Sequence, residues 1–323
     1  MSPSQHLKTL TILAFAALAS ADYASGKRGL CYVPNNDHPG DNKIWIQAGS
    51  DLTWYYNYGY EPSSVFSGLE QDEFEFVPMM WGVGNDPKDT TFLNTVRSLI
   101  RSGTNISHVL GFNEPDAPYS WGGSNLEPEK AARAWVHNFE PLGQMGVKLG
   151  LPAVTGTIDG LPWLKQFLAN CSEILSENTG TNQNCTWDFI PVHCYDNFEG
   201  LASQIGERHA TWPDAEIWIT EYAYANQDLQ ATEETFNTTL DYFDRVPYIE
   251  RYSYFGAFRS YTSNVGPNVA MLNNKGQLTE IGVEYLGINA TGVDPDNGAG
   301  GHVGRRWRTL LVSVAWAFAW IVL

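Results

Sequence analysis

The 323-residue sequence predicts a single (β/α)₈ barrel. Three observations lead there. Eight strand-like apolar runs fall between residues 27 and 290. Helical periods alternate with most of them, and neither a low-complexity linker nor a short repeat divides the stretch. Near-continuous apolar strands alternating with helices imply a parallel sheet covered on both faces, and about 265 residues is the size of a closed barrel. A doubly wound open sheet is the competing arrangement, but no glycine fingerprint follows the first run to support it.

The runs are 28–33, 52–58, 74–81, 108–113, 147–153, 187–195, 217–222 and 251–256. The first two units carry the weakest helical signal. Between the third and fourth runs, Phe92, Val96, Leu99 and Ile100 keep a helical spacing behind Asp86 or Asp89, and Gly103 ends it. Pro128 suits a first helical turn, with Ala131, Ala132, Trp135, Val136 and Phe139 as the apolar face. Segments 161–168, 201–205, 235–243 and 279–286 continue the alternation.

Both ends resemble processing signals. Lys8, the apolar run 9–18 and the small residues Ala17, Ala19 and Ala21 form a secretory leader over 1–21. Small residues at 297–299, a polar spacer to Arg308 and the apolar tail 309–323 have the order of a glycosylphosphatidylinositol signal. The expected attachment site is Asn297, with 298–323 removed and 291–297 serving as a short stalk to a barrel spanning 27–290. A spanning helix is the alternative, but 15 residues rise only about 22 Å against a ~30 Å hydrocarbon core. The expected location is the cell surface, lipid-anchored to the plasma membrane or held in the cell wall.

The interior agrees with export. Asn105, Asn170, Asn184, Asn237 and Asn289 each open an N-glycosylation sequon. Of four cysteines, Cys171 and Cys185 flank a polar loop and are expected to close it as a disulfide. Cys31 and Cys194 sit in apparent strands, where pairing and free burial both remain open.

Charge narrows the function. The sequence carries 19 Lys and Arg against 36 Asp and Glu, a formal −17. Without its two ends the chain would hold 15 basic and 36 acidic residues, a formal −21. So acidic a surface repels phosphate backbones and excludes nucleic acid as a partner. The seven histidines show no metal spacing, the cysteines lack zinc pairing, and no Gly-x-Ser-x-Gly elbow occurs. No cofactor is expected, and the chain is expected to act as a monomer. The 12 Trp, 16 Tyr and 15 Phe supply a large core and, at strand ends, faces on which sugar rings could stack.

Reactive groups in such barrels sit at the carboxyl ends of strands. The fourth run ends in Asn113-Glu114-Pro115 and the seventh in Thr220-Glu221-Tyr222, so two glutamates face one cavity. Glycoside cleavage needs this pair: one carboxylic acid protonates the leaving oxygen while the other carboxylate acts at the anomeric carbon. Trp81, Tyr195 and Phe255 lie at other strand ends as possible ring-stacking faces, and Tyr195 could instead donate its hydroxyl to Glu221. His193 is a candidate sugar contact.

The motifs KRGLCY, WYYNYGY, EFVPMMWG, VLGFNEPD, VHCYD, WITEYA and RYSYFGAF, in this order over 27–288, resemble glycoside hydrolase family 128. These are fungal endo-β-1,3-glucanases and relatives with an alkali-sensitive-linkage-protein-like domain, retaining members of clan A. The resemblance implies Glu114 as acid/base, Glu221 as nucleophile and Asn113 as the partner of the sugar 2-hydroxyl. With Trp81, His193, Tyr195 and Phe255, the strand-end residues Tyr32, Asn57 and Tyr254 complete the expected sugar contacts. Cys31, Cys194 and Tyr254 depart from the family pattern. The expected activity is retaining endo-β-1,3-glucanase action on neutral wall glucan. A glucan-binding wall protein that keeps the barrel but not the catalysis is the alternative.

Overall fold

The computed structural model describes residues 26–296, so the expected leader, the expected anchor tail and Asn297 lie outside the described residues. In chain order the elements begin with β1 (Arg28–Cys31), β2 (Trp54–Tyr56), β3 (Glu75–Phe76), α1 (Thr91–Arg101) and β4 (His108–Leu110). Next come α2 (Pro128–Asn138), α3 (Glu140–Gly143), β5 (Lys148–Gly150), α4 (Gly160–Thr179) and β6 (Phe189–Cys194). The chain ends with α5 (Phe198–Thr211), β7 (Glu216–Tyr222), α6 (Leu229–Arg245), β8 (Ile249–Tyr254) and α7 (Glu280–Leu286). All eight strands pair in parallel, in the order β3-β2-β1-β8-β7-β6-β5-β4. A parallel bridge from Met79 to Leu110 joins the two edges, with Met80 N–H donating to Leu110 O and Leu110 N–H to Pro78 O. The expected barrel is therefore present.

The weak helical signal of the first two units is real. Only 3₁₀ turns stand there, at Pro39–Ile46 and Ser64–Phe66. Elsewhere Pro128 opens α2 and Gly103 turns out of α1 at φ 98°, as expected. The residue before α1 is Thr90, without a side-chain cap bond, and Asp89 one residue earlier accepts from Thr91 N–H. Asn197, Asp228 and Thr279 cap α5, α6 and α7.

The lumen is filled by Cys31, Trp54, Tyr56, Val77, Met79, Leu110, Phe189 and Trp218, all buried. Room for the largest rings comes from glycines opposite them. A Cβ on Gly29 would fall 2.1 Å from Trp54, and one on Gly150 would fall 2.5 Å from Phe189. The outward-facing strand residues pack instead against the helices, around Trp135, Phe139, Phe167 and Phe243. Cys31 faces the lumen and Cys194 faces the helices, so the sheet wall separates them and both are free. Cys171, which lies within α4 rather than beside it, pairs with Cys185 as expected.

The sequence boundary of the barrel moves outward. Val293 N–H donates to Leu278 O, Asp296 accepts from Asn274 N–H, and Gly292 packs against Glu280. Residues 291–296 are thus part of the barrel surface rather than a free stalk. Asn105, Asn184, Asn237 and Asn289 are exposed, whereas Asn170 is half-buried on α4. Among the described residues no helix is long and apolar enough to cross a membrane.

At the strands' amino-terminal end, Glu75 accepts from Ser107 Oγ at 2.5 Å and lies 3.0 Å from His108 Nδ1 and 2.7 Å from Arg251 Nη1. The Arg251 guanidinium lies over Trp218, 4.3 Å from the ring centre. Burial alone would raise the Glu75 pKa, but the His108 bond, the Arg251 charge and the Ser107 hydroxyl outweigh it and hold it at about 2. An unfolded Glu titrates near ~4.3. Because the folded value is depressed, the stabilisation is present above ~4.3 and is lost as pH falls towards 2. Glu75→Gln should lose roughly 3 kcal/mol at pH 7, measured by urea unfolding, since Arg251 keeps a buried, unpaired charge. The two proteins' stabilities should converge by about pH 2. A gap that stays constant with pH would refute the ion-pair origin.

Candidate active site

Strand ends β4, β6 and β7, with the chain just beyond β2, bring one cluster of side chains to the carboxyl-terminal mouth. Glu114 leaves β4 at φ 38°, a left-handed conformation rare for a residue with a side chain and costing about 1–3 kcal/mol. Its backbone is pinned on both sides: Glu114 N–H donates to Ala153 O at 2.7 Å, and Ala117 and Ser124 N–H donate to Glu114 O. Asp116 adds a clasp across to β5, accepting from the backbone N–H and hydroxyl of Thr155.

Glu221 reaches the mouth by a different device. Strand alternation points Trp218 into the lumen and Ile219 outward, which would turn residue 221 outward too. A register shift between Ile219 and Tyr222 breaks the alternation and sends Glu221 inside. There its carboxylate is 5% exposed and both oxygens are held. Tyr58 OH donates to Oε1 at 2.7 Å, Tyr195 OH to Oε2 at 2.5 Å, and His193 Nδ1 lies 3.3 Å from Oε2. Tyr56 OH donates to Thr220 O at 2.9 Å and approaches Oε1 at 3.4 Å. Burial first, and then the Glu221 charge, push the three phenols well above their usual pKa. They stay protonated and serve as donors.

His193 ties the two carboxyl groups together. Its Nδ1 is 3.1 Å from Glu114 Oε1 as well as 3.3 Å from Glu221 Oε2, and the ring is 1% exposed. Burial would lower its pKa, but Glu221, then the bond and charge of Glu114, raise it on balance. Nδ1 faces both carboxyl groups while Nε2 has no partner, which assigns the ring proton of the neutral form to Nδ1. One oxygen from each glutamate and this nitrogen all lie within 4.8 Å of one another. Carboxyl oxygens that close leave less room than the ~6.5–9.5 Å of inverting glycosidase pairs. The trio has the ligand types of a cation site, yet the tyrosine hydroxyls on Glu221 already occupy lone pairs a cation would need.

Around this centre lies a cleft of about 850 Å³, into which Trp81, Asn113, Tyr195 and Phe255 all open. The Trp81 ring stacks with Tyr119, centres 6.1 Å apart, and Trp121 beyond it is 72% exposed. Asn113 donates to Gly122 O, while its buried Oδ1 has no partner. Gln204, Thr155 and Asp196 form the opposite, polar side.

Four sequence expectations are corrected. His193 is enclosed between the glutamates and does not face a sugar. Tyr32 is fully buried against Phe66 and Tyr55, and Tyr254 against Tyr222 and Phe236, both on the outer side of the wall. Asn57 bonds Glu61 O and Gly59 N–H and shapes its own loop. Each of the last three is one residue away from a lining residue, Val33, Phe255 and Tyr58, because adjacent strand positions point to opposite faces. Tyr58 was the functional residue missed. The signal lay in the spacing of Trp54, Tyr56 and Tyr58, which places all three on the lumen face. The departures at Cys194 and Tyr254 likewise face the helices and leave the cleft untouched.

Comparison with known proteins follows the same line. The model of the glycosyl hydrolase catalytic core family matches residues 29–285. Alkali-sensitive linkage protein 1 of Schizosaccharomyces pombe is 31% identical over 271 residues, 81% of this chain. The chain spans only 44% of that relative's length. Among solved structures, a family 128 (subgroup III) curdlan-specific exo-β-1,3-glucanase from Blastomyces gilchristii is similar at 26% identity and a TM-score of 0.61. The match covers 82% of this chain and 99% of that one. A subgroup II endo-β-1,3-glucanase from Sorangium cellulosum shares the fold at 24% identity, TM-score 0.62, covering 80% and 97%. So does a subgroup VII oligosaccharide-binding protein from Cryptococcus neoformans, at 23% identity, TM-score 0.59, covering 84% and 98%.

Proposed function

We propose that this chain, which belongs to the glycosyl hydrolase catalytic core family and within it to glycoside hydrolase family 128, is a retaining endo-β-1,3-glucanase. The single observation that carries the reading is the Glu114–His193–Glu221 cluster, in which one nitrogen reaches an oxygen of each carboxyl group. In the first step Glu114 gives its proton to the glycosidic oxygen while a Glu221 oxygen bonds to the anomeric carbon, and the C–O bond to the leaving sugar breaks. In the second, Glu114 takes a proton from water, whose oxygen displaces Glu221 and restores both groups. Negative charge thus moves from Glu221 to Glu114 between the steps. His193 Nδ1–H lies within reach of both and follows it. Tyr58 and Tyr195 hold Glu221 along one line of attack. The unpartnered Asn113 Oδ1 suits the substrate's 2-hydroxyl.

A neutral glucan fits a chain this acidic, because binding through ring faces needs no opposite charge. The structural neighbours described as β-1,3-glucanases support that linkage, and the open cleft supports internal cleavage. Trp81→Ala should raise KM for laminarin about 3- to 10-fold, the worth of one aromatic stacking contact, with an unchanged Tm. An unchanged KM would place the sugar elsewhere. Two structural neighbours in this family are described as oligosaccharide-binding proteins. Both carboxyl groups and their supporting donors are present here, which favours turnover. Reducing sugar released from laminarin tests this, and retention on insoluble glucan without release would support the binding-only reading. The lipid anchor is proposed on the tail's order alone. Phosphatidylinositol-specific phospholipase should release the protein from membranes, and recovery of the tail peptide from mature protein would refute the anchor.

A further inference from the structure

The second unit of the barrel lacks its covering α-helix. Only the 3₁₀ turn at Ser64–Phe66 lies over β2 and β3, and this leaves a groove of about 690 Å³ on the outer wall. Tyr55, Phe66, Phe74 and Phe76 lie beneath it, packed on one another and each no more than 5% exposed. The rim carries hydroxyl, carboxylate and carboxamide groups, among them Ser67, Glu70, Gln71 and Asp72, and its lining contains no Lys or Arg. A neutral-to-acidic, hydroxyl-rich rim suits hydrogen bonding to a neutral polyhydroxylated ligand and disfavours an anion. The volume falls in the ~300–1,000 Å³ range of small-ligand sites.

The occupant is tethered at the groove's own edge. Asn105, exposed on the extended segment between α1 and β4, is one of the lining residues and opens the sequon Asn105-Ile106-Ser107. Gln71 donates to Asn105 O at 3.0 Å, joining the sequon to the rim. We propose that the N-linked glycan of Asn105 packs along this groove, against its hydroxyl-rich rim. The proposal needs passage through a secretory pathway and is independent of the glucanase reading. It also separates Asn105 from Asn237, which stands exposed on α6, away from the groove.

Ser107 cannot serve for the test, because its hydroxyl also bonds Glu75. Asn105→Gln removes the glycan and leaves that bond intact. In protein secreted from a yeast host, glycopeptide mass spectrometry should find Asn105 occupied. Endoglycosidase H should trim its glycan about tenfold more slowly from folded than from denatured protein. Amides of residues 62–76 should exchange about tenfold faster in Asn105→Gln than in wild type, with laminarin hydrolysis unchanged. An unoccupied Asn105, equal trimming rates, or unchanged exchange would each overturn the proposal. So would protection of 62–76 by added laminarioligosaccharide in Asn105→Gln, which would make the groove a site for free glucan.

Discussion

Glu221→Gln is expected to lower kcat on laminarin by on the order of 10⁴-fold or more, with KM changed little. Loss of the nucleophile removes the covalent step itself, and the residual rate comes only from binding and the remaining donors. The Gln side chain keeps the volume, its oxygen can still accept from one of the two tyrosine hydroxyls and its NH₂ can donate to the other's oxygen, so the barrel should unfold at a similar temperature. Glu221→Gly goes further, because it leaves a space where azide can enter beside the anomeric carbon. With an activated glucosyl donor, azide should restore turnover and yield the inverted α-glycosyl azide. Near-wild-type activity in Glu221→Gln would disprove the assignment.

Glu114→Gln should lower kcat/KM on laminarin by about 10²- to 10⁴-fold, the usual contribution of a positioned general acid. The loss should shrink sharply on aryl β-glucosides whose leaving group departs without a proton. There the first step proceeds and the second, which needs a general base, becomes limiting. Azide needs no base, so in Glu114→Gly it should relieve that block and give a β-glycosyl azide. Opposite anomers from the two glycine variants would distinguish their roles within one experiment. The same product from both would mean that Glu114 and Glu221 do not divide the work as described.

Much of this was legible in the sequence because the strongest signals are local. Strands show as apolar runs and helices as 3.6-residue periods, and Glu114 and Glu221 stand just past or at the ends of the runs that form β4 and β7. What the sequence left undetermined was orientation. Tyr32, Asn57 and Tyr254 were each chosen on the wrong face by one residue, since parity along a short strand needs a fixed anchor that a run of aromatics does not supply. In WYYNYGY both parities are aromatic. Only the packing of Trp54 against Trp218 and Gly29 reveals which one enters the lumen. Bulges are harder still. The shift that turns Glu221 inward has no residue signature of its own, and strict alternation would have placed Glu221 on the outer face. The role of His193 depends on contacts across 79 and 28 residues, to Glu114 and Glu221, which no local pattern carries.

The measurement closest to the central claim is peptide mapping after incubation with a 2-deoxy-2-fluoro-laminarioligosaccharyl fluoride. Fluorine at carbon 2 slows both steps, and the good leaving group lets the first proceed, so a retaining enzyme accumulates its covalent intermediate. The account predicts one sugar per chain, on the peptide that contains Glu221, with loss of activity in proportion to labelling. Label on Glu114, or no label while laminarin hydrolysis gives the α-anomer first, would contradict it.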